Sequence, residues 1–435
     1  MPNIQPFEGL RYNLAQVGNL SDVIAPPYDV IGPEQQDELY AKSEYNSVRL
    51  ILDKQLPTDD EQNNRYTRTA RTLKDWKESG VLVKDSNPSI YVYHQIYTVN
   101  GKEYCRKGFM AGCEAVAFGE GMVFPHEITM SGPKLDRLML TTACKTNFSQ
   151  IFGLYPDENN EVQNILEEAI VGKTPLEAVD HLGVVSRMWI VDDSEVLSKV
   201  VKLMGPKPIF IADGHHRYET ACNYRKQLAQ QGVLTSNHPA NHVLMLCIAI
   251  EDPGLIVLPT HRLFPNVRQM DQAEVIARVG ECFRVTTVGN GVNSAKAAWA
   301  LIEQLNDQGT MALYTGKDGV WSLLSITDKG REKMDEVASD HHPEWRRLGV
   351  GILHRLLIDT LLELKGHEKP NYVHLVDEVA DLLKKEPENY PLAALVMPAT
   401  VDLIQECSMV RERMPAKSTY FYPKPVTGFV FKPLE

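Results

Sequence analysis

Five consecutive residues, Asp213-Gly214-His215-His216-Arg217, combine the side chains and the setting that phosphate chemistry needs. They follow a short apolar run, 207–212 (KPIFIA), which reads as a buried strand. They precede 218–230 (YETACNYRKQLAQ), which reads as a helix ending near Gly232. A strand that runs into a helix leaves the first helical N–H groups unpaired and pointing at whatever lies before them. The helix dipole adds partial positive charge there. Gly214 lets the backbone approach a ligand closely. Arg217 can grip a phosphate through two parallel hydrogen bonds. His215 and His216 can carry charge or move protons. Asp213 is a candidate Mg²⁺ ligand, or an orienting partner for one histidine. An isolated D-G-x-x-R would read as a capped turn. Two histidines in the same turn favour the functional reading.

Three further clusters carry polar groups. His126 and Glu127 sit side by side after Pro125, with Lys134, Asp136 and Arg137 downstream. Glu127 suits general base work, and Lys134 or Arg137 suits a phosphate or a substrate carboxylate. A solvated charged loop is the equally weighted alternative. Lys417, Ser418 and Thr419 form a phosphate-binding trio in composition, but no glycine-rich stretch precedes them, so they are not a Walker motif. A strand covering the core is the plainer reading of that stretch. Pro26-Pro27 presents Tyr28 and Asp29 rigidly, as a structural turn or as a substrate-lining segment. His261 and Arg262 close a polar turn, Pro259-Thr260-His261-Arg262, after another apolar run.

Composition narrows the classes. The 435 residues carry a formal net charge of −12 and are 43% hydrophobic, which fits a globular chain and leaves no broad footprint for nucleic acid. The strongly apolar runs, such as 242–250 (HVLMLCIAI), are too short to span a bilayer as helices. The seven cysteines are widely spaced with no C-x-x-C, as expected of reduced thiols in a cytoplasmic protein. The N-terminal residues show no secretory pattern. No G-x-G-x-x-G follows a strand, and G-x-S-x-G, H-E-x-x-H and the protein-kinase set are absent.

The elements that must position these residues read as a mixed α/β chain. Residues 62–79 have helical spacing, with Tyr66, Ala70, Leu73 and Trp76 on one stripe. Residues 89–98 and 106–117 read as two strands joined by an Asn100-Gly101 turn. Residues 161–170 read as a helix, 184–190 and 242–250 as strands, and 343–363 as one long amphipathic helix. Residues 119–147 are a polar stretch that turns helical from about Lys134, the kind of segment that carries function. The expected organisation is an N-terminal α/β region over 1–175, a core region over 176–335 bearing the junction, and a C-terminal helix and strand region over 336–435.

Seven segments together carry a family resemblance: APPYDVI at 25–31, NSVRL at 46–50, PHEITMSGPKLDRL at 125–138, TNFSQIF at 146–152, ADGHHRYETA at 212–221, PTHR at 259–262 and MPAKSTYFYPKPVTG at 414–428. In these the chain resembles the bacterial and archaeal family known as domain of unknown function 1015. The DGHHR segment also resembles the phosphate-handling motif of the ParB/sulfiredoxin superfamily, which includes free serine kinases. That resemblance implies an α/β fold, α+β with mixed sheets, built on a ParB/sulfiredoxin-like core with added N- and C-terminal elements. It implies a Mg²⁺-assisted kinase that phosphorylates free L-serine to O-phosphoserine with ATP, ADP or pyrophosphate as donor. On this reading Asp213, His216 and Arg217 act catalytically, and Gly214, His215, Lys134, Arg137, Lys417, Ser418 and Thr419 hold the phosphates. Glu127 is the first candidate base and Asp29 the second; Tyr28, His126, His261 and Arg262 line the substrate. The alternative is a ParB-like nucleotide-binding regulator without metabolite kinase activity. A sulfiredoxin-type reductase would need a cysteine in the motif, and none is there. The partners expected are a small-molecule substrate and a second copy in a homodimer, with neither nucleic acid nor membrane.

Overall fold

The computed structural model of the chain describes residues 3–435. The chain gathers into two compact units. Among the described residues the first comprises 3–125, 129–256 and 423–435; the second comprises 126–128 and 257–422.

The first unit is built on a mixed sheet of nine strands among the described residues. From one edge the order is Val123–Phe124, Ile209–Asp213, Ile151–Tyr155, His242–Ala249, Lys102–Glu114, Ile90–Val99, Val185–Val191 and Leu176–Val179, with Ile4–Gln5 pairing Lys102–Glu114 off this path. The long hairpin at its centre follows from β-branched and aromatic residues on either side of Asn100-Gly101, both of which take positive φ. The strand His242–Ala249 is buried along nearly its whole length, which explains its continuous apolar run. Val162, Leu166 and Ile170 of the helix Glu161–Ile170 pack into the sheet's core beside Val200 and Met204 of Ser194–Met204. Each such side chain contributes about 1.5–3 kcal/mol on burial.

The segment 423–435 is distant in sequence and central to this unit. Thr427 bridges Ala25, Phe431 bridges Leu10, and Lys432–Pro433 pairs antiparallel with Thr146–Asn147. Phe431 is fully buried and meets Tyr12 and Phe148 edge to face. These contacts fix the backbone that carries Lys424.

The second unit holds a sheet of six strands among the described residues, ordered Phe283–Asn290, Val320–Ile326, Thr310–Thr315, Leu392–Val396, His261–Phe264 and Asn371–Val373. Helices Ala295–Leu305 and Val376–Lys385 cover it through Ala298, Ile302, Val379 and Leu383.

The expected fold class, α/β of the α+β kind with mixed sheets, is what the chain adopts. One expected element is broken. Residues 343–363 form no single amphipathic helix but a turn at Pro343–Arg346, another at Gly349–Gly351 and a π-helical stretch at Ile352–Leu361. Leu348 takes an extended conformation (ψ 127°), which interrupts the helix between the two short turns. A Cβ on Gly351 would lie 3.1 Å from the Trp345 carbonyl oxygen, so the chain returns there with little room for a side chain. The π ladder shows in the Leu362 N–H, which donates to the Leu357 carbonyl at 2.9 Å. No helix among the described residues is long and apolar enough to cross a membrane.

Candidate functional site

The junction has the expected order. The strand Ile209–Asp213 ends in Asp213, Gly214 caps the next helix, and that helix runs His215–Gln230. It starts three residues earlier than the sequence pattern indicated, so His215, His216 and Arg217 all lie in its first turn. Pairing with Ile151–Tyr155 shifts register between Ile211 and Asp213. Such a bulge turns the strand end and re-aims its last side chain. Gly214 sits at φ +93°, and a Cβ there would be 3.0 Å from the Arg217 guanidinium. Both facts require glycine.

Arg217 donates from Nη1 to the Gln150 carbonyl and from Nη2 to Asp213 Oδ2, the latter at 2.5 Å. The other oxygen, Asp213 Oδ1, accepts from Lys424 Nζ. Lys424 in turn lies 4.0 Å from Asp29 Oδ2. Burial would raise the Asp213 carboxyl, but the charges of Lys424 and Arg217 outweigh it and hold the group far below the carboxylate range. Burial would lower the Lys424 ammonium, but Asp213 and Asp29 outweigh that and raise it above the lysine range. Asp213 and Lys424 therefore face each other as a carboxylate and an ammonium at neutral pH.

A cleft opens beside it. Tyr28, Arg137, Asn147, Ser149, Arg217 and Thr220 are among its lining residues. Arg137 comes from the helix Ser131–Cys144 and stacks its guanidinium 3.9 Å from the Tyr28 ring. It donates to the Ile51 carbonyl at 2.7 Å and to Asp136 Oδ2 at 2.7 Å. Burial raises the Tyr28 hydroxyl, while the positive charges of Arg137 and Arg217 pull it the other way. Two guanidiniums, an amide and several hydroxyls on one concave surface can bind an oxyanion with several oxygens.

The remaining residues of the first unit have defined partners. His216 Nε2 accepts from the Met130 N–H at 2.9 Å. His215 is buried and adds to the positive field on Asp213. Lys134 pairs with Glu219 at 2.8 Å, and Thr129 donates to the same carboxylate. Burial raises Glu219, and the Lys134 and Thr129 hydrogen bonds more than offset it, so its carboxyl is lowered.

His126, Glu127, His261, Arg262, Lys417, Ser418 and Thr419 belong to the second unit. His126 Nε2 meets the Thr419 hydroxyl at 2.9 Å, and Ser418 Oγ donates to the Pro415 carbonyl at 2.5 Å. Arg262 is fully buried and donates to the Thr260 carbonyl and, at 2.8 Å, to the Lys417 carbonyl. Burial pushes it down to about 10. His261 lies 4.9 Å from the Trp299 ring and is pushed down to about 3, by burial first and by Arg262 second.

The metal-ligand role expected of Asp213 does not fit. Each of its oxygens faces a cation, so a divalent ion would enter a site already neutralised by Lys424 and Arg217. Among the described residues no group of three or more His, Cys, Asp or Glu side chains is arranged to hold a metal ion.

Lys424, Gln150 and Glu219 each lie in a segment that carries the family resemblance, but nothing in the sequence assigns any of them a role in the site. Nothing local in sequence ties Lys424 to Asp213, 211 positions away.

Three solved structures resemble the chain weakly. A free serine kinase in complex with AMP shares 11% identity at a TM-score of 0.33, covering 72% of this chain and 88% of its own. A variant of a free serine kinase in complex with ADP shares 10% at 0.34, covering 72% and 89%. A conserved hypothetical protein from Pyrococcus furiosus shares 13% at 0.31, covering 69% and 87%. Likeness at this level carries no argument about activity. No match to the chain is found among curated proteins. A family model described as "Protein of unknown function (DUF1015)" matches residues 4–350, most of the sequence, and the chain belongs to that family.

Proposed function

We propose that the first unit is a small-molecule kinase that moves a phosphoryl group from a nucleotide or pyrophosphate to a hydroxyl compound, free L-serine first among them. The observation that carries this reading is the placement of Arg137 and Arg217 on one cleft, next to the Asp29–Lys424–Asp213 chain of charges. Phosphoryl transfer asks for positioning and for positive charge around the equatorial oxygens. Arg217 and Arg137 bring positive charge to that cleft, each held by a carboxylate and a backbone carbonyl, and Ser149 and Thr220 add hydroxyl groups. Asp213 holds Arg217 and Lys424 in place and keeps the Lys424 ammonium charged.

Asp29 takes the proton of the acceptor hydroxyl as its oxygen bonds to phosphorus and the bond to the leaving phosphate breaks. Its side chain is 38% exposed, so an acceptor can reach it.

Calorimetric titration with ATP, ADP and pyrophosphate tests the binding half. One of them should bind, and Arg217→Ala and Arg137→Ala should each weaken it about 10- to 100-fold, the worth of a hydrogen bond to a charged group. Turnover tests the other half: Asp29→Asn should lower kcat about 100- to 10,000-fold with the donor Kd unchanged. Donor affinity indifferent to both arginines would overturn the site. Binding without turnover in the native chain would leave a nucleotide-binding regulator.

A further inference from the structure

A second cavity of the first unit lies away from the cleft. Its lining includes Phe7, Glu8, Lys84, Pro239, Lys432 and Glu435, and its volume is about 200 Å³. That is room for roughly six water molecules.

Lys432 is only 3% exposed. Its stem crosses the sheet over Gly112, where a Cβ would meet Lys432 Cε at 3.2 Å and His242 Cβ at 3.1 Å. The only hydrogen bond of its Nζ among the described residues goes to the Pro239 carbonyl at 2.8 Å. The carboxylates of the same cavity are committed elsewhere: Glu8 to Lys84 at 2.5 Å and Glu435 to Lys145 at 2.7 Å. A buried ammonium with one carbonyl and no counter-ion is a poor cation. Burial pushes it down to about 7. Its neighbour His242 is no counter-ion either. The buried Nε2 has no hydrogen-bond partner among the described residues, and burial, then Lys432 and Arg225, push the ring down to about 4.

An amine that is about half uncharged at neutral pH, at the wall of a cavity, is a nucleophile. With both carboxylates of the cavity already paired to lysines, a small neutral carbonyl compound enters without needing a charge partner of its own. We propose that Lys432 is an imine-forming lysine that takes a small aldehyde or ketone entering this cavity. The lone pair of Nζ attacks the carbonyl carbon, a C–N bond forms, and the π electron pair moves to oxygen, which takes up the proton that nitrogen loses. The carbinolamine then loses that oxygen as water together with the second N–H proton, leaving C=N. Amine and carbonyl give imine and water, with no oxidant or reductant.

The native full-length chain tests this directly. It is incubated at pH 7 with acetaldehyde and cyanoborohydride, which fixes any imine as an N-ethyl group, and the lysines are mapped by peptide mass spectrometry over time. Lys432 should gain the label at least tenfold faster than Lys84, which shares the cavity but is exposed and ion-paired. Unfolding the chain in urea should abolish the difference. Lys432 left unlabelled in the folded chain, or labelled no faster than Lys84, overturns the proposal. The comparison is internal to one native protein and needs no variant to fold.

Discussion

Asp213 accepts one cation on each carboxylate oxygen, and that single fact sets its behaviour. Removing its charge leaves Arg217 without its carboxylate and Lys424 with the more distant Asp29, 4.0 Å away. Asp213→Asn is therefore expected to lower stability in urea unfolding by about 3–5 kcal/mol. Asp213→Asn combined with Lys424→Met should recover part of that loss, because the buried ammonium that Asp213 neutralised is gone. Lys432 gives the opposite kind of site, a cation without an anion. Its folded value is about 7, against about 10.4 in an unfolded chain. Between those values the unfolded chain binds a proton that the folded chain releases, so stability rises with pH across the window. Thermal melts of the native chain should gain on those of Lys432→Met as pH climbs from 7 to 10. A constant difference between the two would remove the desolvated amine. At this scale the sequence was readable where residue type and neighbours suffice, as with Asp213 to Arg217. It was unreadable where the partner comes from far along the chain, as with Lys424.

The junction is a strand, a bulge, a left-handed glycine and a helix, and each part is needed to bring Asp213 onto Arg217. Gly214→Ala puts a Cβ at φ +93° and 3.0 Å from the guanidinium. A loss of about 1–3 kcal/mol is expected from the backbone alone, with donor binding weakened because Arg217 must move. Equal donor affinity in Gly214→Ala and the native chain would show that this turn does not position Arg217. The strand, the glycine and the helix were legible from an apolar run, a glycine and a helical stretch in direct succession. The hairpin around Asn100-Gly101 was legible for the same reason, since its turn residues demand positive φ. The stretch 343–363 was not. Its apolar spacing is helical, but Leu348 is extended and Gly351 lets the chain return against Trp345, so tertiary packing overrides the pattern.

Across the whole chain, sequence order is a poor guide to the units. Three consecutive regions were expected, whereas residues 423–435 join the unit that holds residues 3–125. The pairings of Thr427, Phe431 and Lys432 with residues before 150 are long-range, and periodicity carries no information about such partners. Deleting 423–435 removes Lys424 from Asp213 and the Phe431 ring from between Tyr12 and Phe148. The truncated chain should lose its cooperative melt by circular dichroism; a melt within 2 °C of the native one, below the shift of about 2–4 °C that 1 kcal/mol produces in a large domain, would contradict the role given to this segment.

The charges gathered at one cleft by these long-range pairings are the basis of the kinase reading. Phosphorus NMR of the native chain with L-serine, Mg²⁺ in the buffer and, in separate samples, ATP, ADP or pyrophosphate tests it most directly. A new phosphomonoester resonance that matches O-phosphoserine and vanishes in Arg217→Ala is the predicted result. Spectra in which every donor stays unchanged, from a chain that melts cooperatively, would contradict it.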